Sequence, residues 1–180
     1  MKRAAFDHAI RAAGSVLGET ELLVIGSQAV HGSIAGDLPP EAERSIEVDI
    51  AAFDDPDARK ADLIDGSIGE ASMFQETFGY YAEGVTQATA VLPIGWRDRL
   101  VRYESPMTDG VVAWCLELHD LWLAKAVAGR PKDYEFCRAL TAHELVDKAV
   151  LIERLQLVPG LADPVRGNVA ALIESAPEQQ

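Results

Sequence analysis

Val24-Ile25-Gly26-Ser27-Gln28-Ala29, followed by Ser45-Ile46-Glu47-Val48-Asp49-Ile50, is the passage that decides the fold. Leu22 to Ile25 is an apolar run of buried-strand type, closed by Gly26. Ser27 stands where it can cap a short helix running through Ala29 and Val30 towards Ile34. Gly36 to Glu43, with Pro39-Pro40 inside, reads as a loop. Ser45 to Ala52 then alternates: Ile46, Val48 and Ile50 point one way, Ser45, Glu47 and Asp49 the other. That is a strand with one buried and one polar face.

Outward from this passage the pattern changes from mixed to helical. Residues 3–17 carry an apolar stripe at helical spacing, closed by Gly18. Asp54-Asp55-Pro56-Asp57 is expected to open a helix, with Asp55 as cap and Pro56 in its first position. Residues 80–92 read as a hairpin turning at Glu83-Gly84, and Leu100 to Tyr103 and Val111 to Cys115 as further strands. From Leu118 onward the chain is helical. Leu118, Leu121, Trp122, Lys125 and Ala126 share one face of a helix ending at Gly129, and Pro131 starts the next. Thr141-Ala142-His143-Glu144 is a capping-box pattern for a third helix, and Asp163-Pro164 opens the last, with Ala176 to Gln180 expected to fray. The fold class is therefore α/β (α+β): residues 1–115 form a small mixed-sheet core and residues 116–180 a helical part.

Charge and cysteine content narrow the function classes. The 180 residues hold 16 Lys and Arg against 29 Asp and Glu, a net −13, which argues against a broad nucleic-acid-binding face. The acid excess is uneven. Residues 97–138 balance seven bases with seven acids, so a locally basic cleft on an acidic body is allowed. No apolar run is long enough to span a membrane, and the N-terminal stripe is broken by Asp7, His8 and Arg11, unlike a signal peptide. Cys115 and Cys137 form no C-x-x-C pair and read as buried thiols of a cytoplasmic protein.

Three groups of residues carry candidate chemistry, each with an ordinary reading beside it. The Gly26-Ser27 turn lets backbone approach a phosphate and offers free N–H donors, or is simply a strand-to-helix turn. Glu47 and Asp49 project from one strand face, where paired carboxylates can share Mg²⁺, or they are the solvent face of an edge strand. Lys125, Arg130, Lys132 and Asp133 straddle a helix break. They either neutralise triphosphate oxygens, with Asp133 as a further metal ligand or base, or serve only as helix-end charges. His8, His31, His119 and His143 have no metal-ligand spacing, though His31 could face a cleft beside the turn. No serine stands in a G-x-S-x-G elbow and neither cysteine has an adjacent partner, so covalent catalysis has no support.

On these residues the chain resembles the DNA polymerase β-type nucleotidyltransferase superfamily. The strand, the Gly26-Ser27 turn, the helix and the acidic Glu47-x-Asp49 pair on the next strand occur in the expected order. The pattern Lys125 to Asp133 is similar to the AbiEii-like and MenT-like toxin nucleotidyltransferases, as is Leu92-Pro93-Ile94-Gly95-Trp96-Arg97. The resemblance implies that Gly26 and Ser27 cradle the triphosphate together with Lys125, Arg130 and Lys132. Glu47 and Asp49 would hold Mg²⁺, and Lys125 and Asp133 would complete the catalytic set. It further implies an NTP substrate, an RNA acceptor such as the 3′ end of tRNA, and a cognate antitoxin as protein partner. Two features depart from the pattern. Glu47 stands where that superfamily usually has Asp, and no third strand acid is evident near Thr89 or Val91, a role Asp133 would take. Transfer to a small-molecule or protein hydroxyl, and a catalytically silent binding module, are the alternatives these departures and the charge keep open.

Overall fold

The computed structural model describes residues 1–175; Ala176 to Gln180, read above as a fraying end, lie outside the described residues. Two elements built from the deciding passage set the frame. Glu21–Val24 forms β1, whose last three residues are buried, and Glu47–Ala51 forms β2, with Val48 and Ile50 buried and Glu47 and Asp49 half-buried on the other face. Ile46 lies just outside the strand and is exposed, so the buried stripe starts at Val48. The two strands pair antiparallel, Leu23 opposite Ala51 and Val24 opposite Ile50.

The remaining strands, β3 (Tyr81–Gly84), β4 (Val101–Tyr103) and β5 (Val112–Cys115), complete one mixed sheet of order β3-β2-β1-β5-β4. β5 runs parallel to β1, β4 antiparallel to β5, and β3 parallel to β2. The parallel β2–β3 pair replaces the hairpin expected over residues 80–92: Thr86 to Leu92 forms no strand, only a single 3₁₀ turn at Gln87–Thr89. Gly84 misleads here because its glycine serves packing, not turning. A Cβ on Gly84 would stand 2.0 Å from the Ala61 carbonyl oxygen, so a helix lies directly on the strand end.

That helix, α4 (Arg59–Ile68), and a shorter one, α5 (Met73–Phe78), make the crossover between the parallel strands, and α1 (Arg3–Leu17) packs beside α4. α4 starts at Arg59, three residues later than Pro56 implies. Asp55 nonetheless caps it, because both of its carboxylate oxygens accept backbone N–H groups, from Lys60 and Ala61, each at 3.0 Å. Ser27 is the first residue of a 3₁₀ turn (Ser27–Ala29) and makes no side-chain cap; Gly26 holds the cap position. Two one-turn helices follow, α2 (Val30–Ser33) and α3 (Pro40–Glu43), the latter inside the segment expected as loop, where Pro40 occupies the first helical position.

The C-terminal helices are α6 (Leu118–Ala128), α7 (Pro131–Ala142), α8 (Lys148–Gln156) and α9 (Asp163–Glu174). Trp122 on α6 organises them: buried, it donates from Nε1 to the Cys137 carbonyl at 2.9 Å and to Thr141 Oγ1 at 3.2 Å. Thr141 is thus an interior residue of α7 rather than a cap for the next helix. Asp147 caps α8 instead, accepting from the N–H groups of Ala149 and Val150. One buried apolar cluster runs from Phe6 and Ile10 through the sheet to Leu151, Val169 and Ile173. No described helix is long and apolar enough to cross a membrane.

Candidate active site

β1 ends at the turn that carries Gly26, and β2 delivers Asp49 against it. The Ile25 N–H donates to the Asp49 carbonyl at 3.2 Å, and the Asp49 carboxylate lies where a side chain on residue 26 would be. A Cβ on Gly26 would fall 1.4 Å from Asp49 Oδ2 and 2.3 Å from Cγ. The backbone of Gly26 is extended, with φ −86°, so glycine is required by this close approach and by no unusual dihedral angle. Asp49 Oδ2 is buried with no hydrogen-bond partner in the protein, an arrangement that costs free energy unless a ligand completes it.

Glu47 and Asp49 open into a cleft of about 910 Å³. Its floor is the polar face of β2 and β3, where the parallel register sets Tyr81 beside Glu47 and Glu83 beside Asp49. Glu83 is a third acid on the strand floor of this cleft, one that the sequence pattern did not single out. It was hidden because Glu83-Gly84 has the composition of a turn. Burial, and then the charges of Asp49 and Glu47, push the Glu83 carboxyl above its ordinary range. Asp49 is raised as well, first by burial and then by Glu47, with Lys125 pulling in the opposite direction.

The helical part supplies the bases, across the break between α6 and α7. Lys125, Arg130 and Lys132 all line the cleft that Gly26, Glu47 and Asp49 line. Lys132 Nζ lies 3.4 Å from Glu47 Oε1 and is more than half exposed. Lys125 is mostly buried and stands 3.8 Å from Asp133, near enough to Asp49 to act on its ionisation but not in direct contact. Asp133 is 2% exposed, and both of its carboxylate oxygens are hydrogen-bonded. Its Oδ2 accepts from Arg130 Nε at 2.7 Å and from the Arg130 N–H at 3.2 Å, and its Oδ1 from Arg130 Nη2 at 3.2 Å. Both of its oxygens are thus bonded to Arg130, and it lines the smaller opening shared with Glu47, Lys125 and Lys132 and not the larger cleft.

Ser27 lines a smaller opening of about 290 Å³ beside Lys125, Lys132 and Asp133, whereas Gly26 lines the main cleft. His31 does not reach either. It is buried, stacked on Phe6, and its Nε2 lies 3.1 Å from the Met1 carbonyl. His143 is the C-cap of α7, and both cysteines are buried free thiols.

The profile of a protein family described as a nucleotidyltransferase of unknown function, DUF6036, matches residues 5–157. The chain belongs to this family. The matched span runs from α1 through the turn, both acidic strands and the α6–α7 break to the end of α8. No curated protein and no solved structure matches the chain. In this member of the DUF6036 family, the residues of the cleft can be compared with what a divalent cation needs. Among the described residues no three His, Cys, Asp or Glu side chains converge to hold a cation unaided. Mg²⁺ characteristically takes one or two carboxylates and fills its other positions with phosphate oxygens and water. Glu47 and the partnerless Asp49 oxygen are the two carboxylates that could serve, with Lys125, Arg130 and Lys132 across the cleft for phosphate charge.

Proposed function

We propose that the protein transfers a nucleoside monophosphate from an NTP to an acceptor hydroxyl, releasing pyrophosphate. The observation that carries the reading is the Asp49 carboxylate. It is pressed against Gly26, has one oxygen buried without a partner, and faces three bases across one cleft. Glu47 and Asp49 would hold Mg²⁺, which when bound neutralises phosphate charge and aligns the reacting groups. Lys125, Arg130 and Lys132 bind the triphosphate and offset the charge that grows on the departing pyrophosphate. Asp133 keeps Lys125 and Arg130 extended towards the cleft. Gly26 lets the chain approach a phosphate without obstruction. Glu83, the cross-strand neighbour of Asp49, would take the proton of the attacking hydroxyl.

The similarity to toxin nucleotidyltransferases supports an RNA acceptor, such as the 3′ end of tRNA, and a cognate antitoxin partner. A second reading, transfer to a small-molecule or protein hydroxyl, is favoured by the charge of the cleft. Asp65 and Glu70 join Glu47, Asp49 and Glu83 along its wall, so acids outnumber the three bases. A polyanionic acceptor would meet that wall at a cost. Incubation with each α-labelled NTP and Mg²⁺, with bulk tRNA in one arm and total small-molecule extract in the other, tests both. Label transfer lost in Asp49→Asn supports the reaction, and the arm that becomes labelled names the acceptor class. Transfer unaffected by Asp49→Asn overturns the assignment.

A further inference from the structure

Glu47 stands one methylene longer than the aspartate of the resembling pattern, and its surroundings are built for that length. Its two carboxylate oxygens are held from two different elements. Oε2 accepts from the Tyr81 hydroxyl on β3 at 3.0 Å, and Oε1 lies 3.4 Å from Lys132 Nζ on α7. Tyr81 is the direct cross-strand neighbour of Glu47 in the β2–β3 register. Tyr81 is 8% exposed, so packing restrains the hydroxyl. An aspartate at position 47 would fall short by about 1.5 Å, too far for that hydrogen bond. A carboxylate has about four lone-pair sites, so one contact on each oxygen leaves acceptor capacity on both.

We propose that Tyr81 is a positioning residue: its hydroxyl fixes the longer Glu47 carboxylate where, with Asp49, it binds a divalent cation. Glu47 and Tyr81 then act as one unit in place of a shorter acid. The inference rests on the nucleotidyltransferase reading of the same cleft. The bland role for the same contact is a clip between two strands, and the two roles differ in what they move. A clip changes the melting temperature; a positioning hydroxyl changes metal affinity, and only when residue 47 is long enough to reach it.

The test is binding of the Mn²⁺ complex of a non-hydrolysable NTP analogue to the full chain, followed by the electron paramagnetic resonance of the protein-bound ion, with thermal melting alongside. Tyr81→Phe, which keeps the ring, weakens Mn²⁺ binding about tenfold, as loss of an outer-sphere partner does, with little change in melting. Glu47→Asp binds Mn²⁺ at near wild-type strength, and Tyr81→Phe added to it has no further effect. Unchanged Mn²⁺ affinity in Tyr81→Phe, or an equal loss in the Glu47→Asp background, overturns the proposal. Asp49→Asn separates the two levels. If it abolishes Mn²⁺ binding while Tyr81→Phe does not alter it, only the Tyr81 role falls. If the wild type and Asp49→Asn bind Mn²⁺ equally, or neither binds, the reading of the cleft falls and takes the Tyr81 role with it.

Discussion

Gly26→Ala separates the needs of the site from the needs of the fold. The backbone at residue 26 is extended, so alanine meets no dihedral penalty. The added methyl would begin 1.4 Å from Asp49 Oδ2, where ordinary contact starts at 3.4 Å, so the carboxylate must retreat by about 2 Å. Cγ at 2.3 Å and Cβ at 2.8 Å are crowded too, so rotation of the side chain has to be joined by a small shift of β2. Overpacking of this kind costs about 1–3 kcal/mol, and each kcal/mol lowers the melting temperature by about 2–4 °C at this chain length. The catalytic penalty is larger, because a misplacement of about 1 Å costs on the order of 100-fold in rate. The assay is pyrophosphate release from NTP and Mg²⁺, with melting followed by circular dichroism on the same sample. The expected result is a folded protein, melting a few degrees lower, with turnover reduced at least about 100-fold. A Gly26→Ala protein that turns over at the wild-type rate would refute the close-approach argument.

Asp49→Asn should abolish transfer yet melt higher than the wild type at pH 7. The folded Asp49 carboxyl is raised above its unfolded value, so its contribution to stability is present below the ordinary carboxylate range and is lost as pH rises through the folded value. The gain from Asp49→Asn should therefore shrink as pH falls towards about 4, and a gain independent of pH would contradict the assigned cause. Lys125→Ala should raise the KM for NTP or lower kcat strongly, whereas Lys148→Ala, which loses only its pairing with Glu174, should leave kinetics unchanged. Equal effects would reduce Lys125 to a helix-end charge. Asp120→Ala should destabilise by about 3–5 kcal/mol, because Asp120 is fully buried between Arg99 and Arg154 and its loss removes the carboxylate they share, leaving Arg154 only Glu117 and Arg99 only the Ile94 carbonyl. Chemical denaturation reads that cost, and a change below about 1 kcal/mol would mean the network is dispensable.

Much of this architecture can be read from residue patterns. The alternation in Ser45 to Ala52 marks β2 and its polar face, and the run Leu22 to Ile25 marks β1. The helical stripe of α6 aims Lys125 inward, and the structure holds it mostly buried. What stayed hidden depends on long-range pairing. Glu83 looked like a turn residue because Gly84 follows it. Only the parallel docking of β3 on β2, with α4 against Gly84, makes that glycine a packing device and that glutamate a cleft acid. Asp133 is similar in kind. Its spacing from Lys125 is visible in the chain, but the bidentate grip of Arg130 on a nearly buried carboxylate appears only once α6 and α7 are folded at Gly129. Thr141 likewise has the spacing of a cap, yet its partner is the indole of Trp122 from another helix.

In the proposed reaction Glu47 and Asp49 hold a metal-bound triphosphate whose charge is met by Lys125, Arg130 and Lys132. The most direct measurement is a crystal structure with Mn²⁺ and each non-hydrolysable NTP analogue in turn, located by anomalous scattering. The expected result is a Mn²⁺ peak about 2.1–2.3 Å from Asp49 Oδ2 and within the same distance of a Glu47 oxygen. The triphosphate should pass Gly26 towards Lys125 and Arg130. A nucleotide bound elsewhere, or in this cleft with Asp49 Oδ2 still unligated, would contradict the proposed reaction.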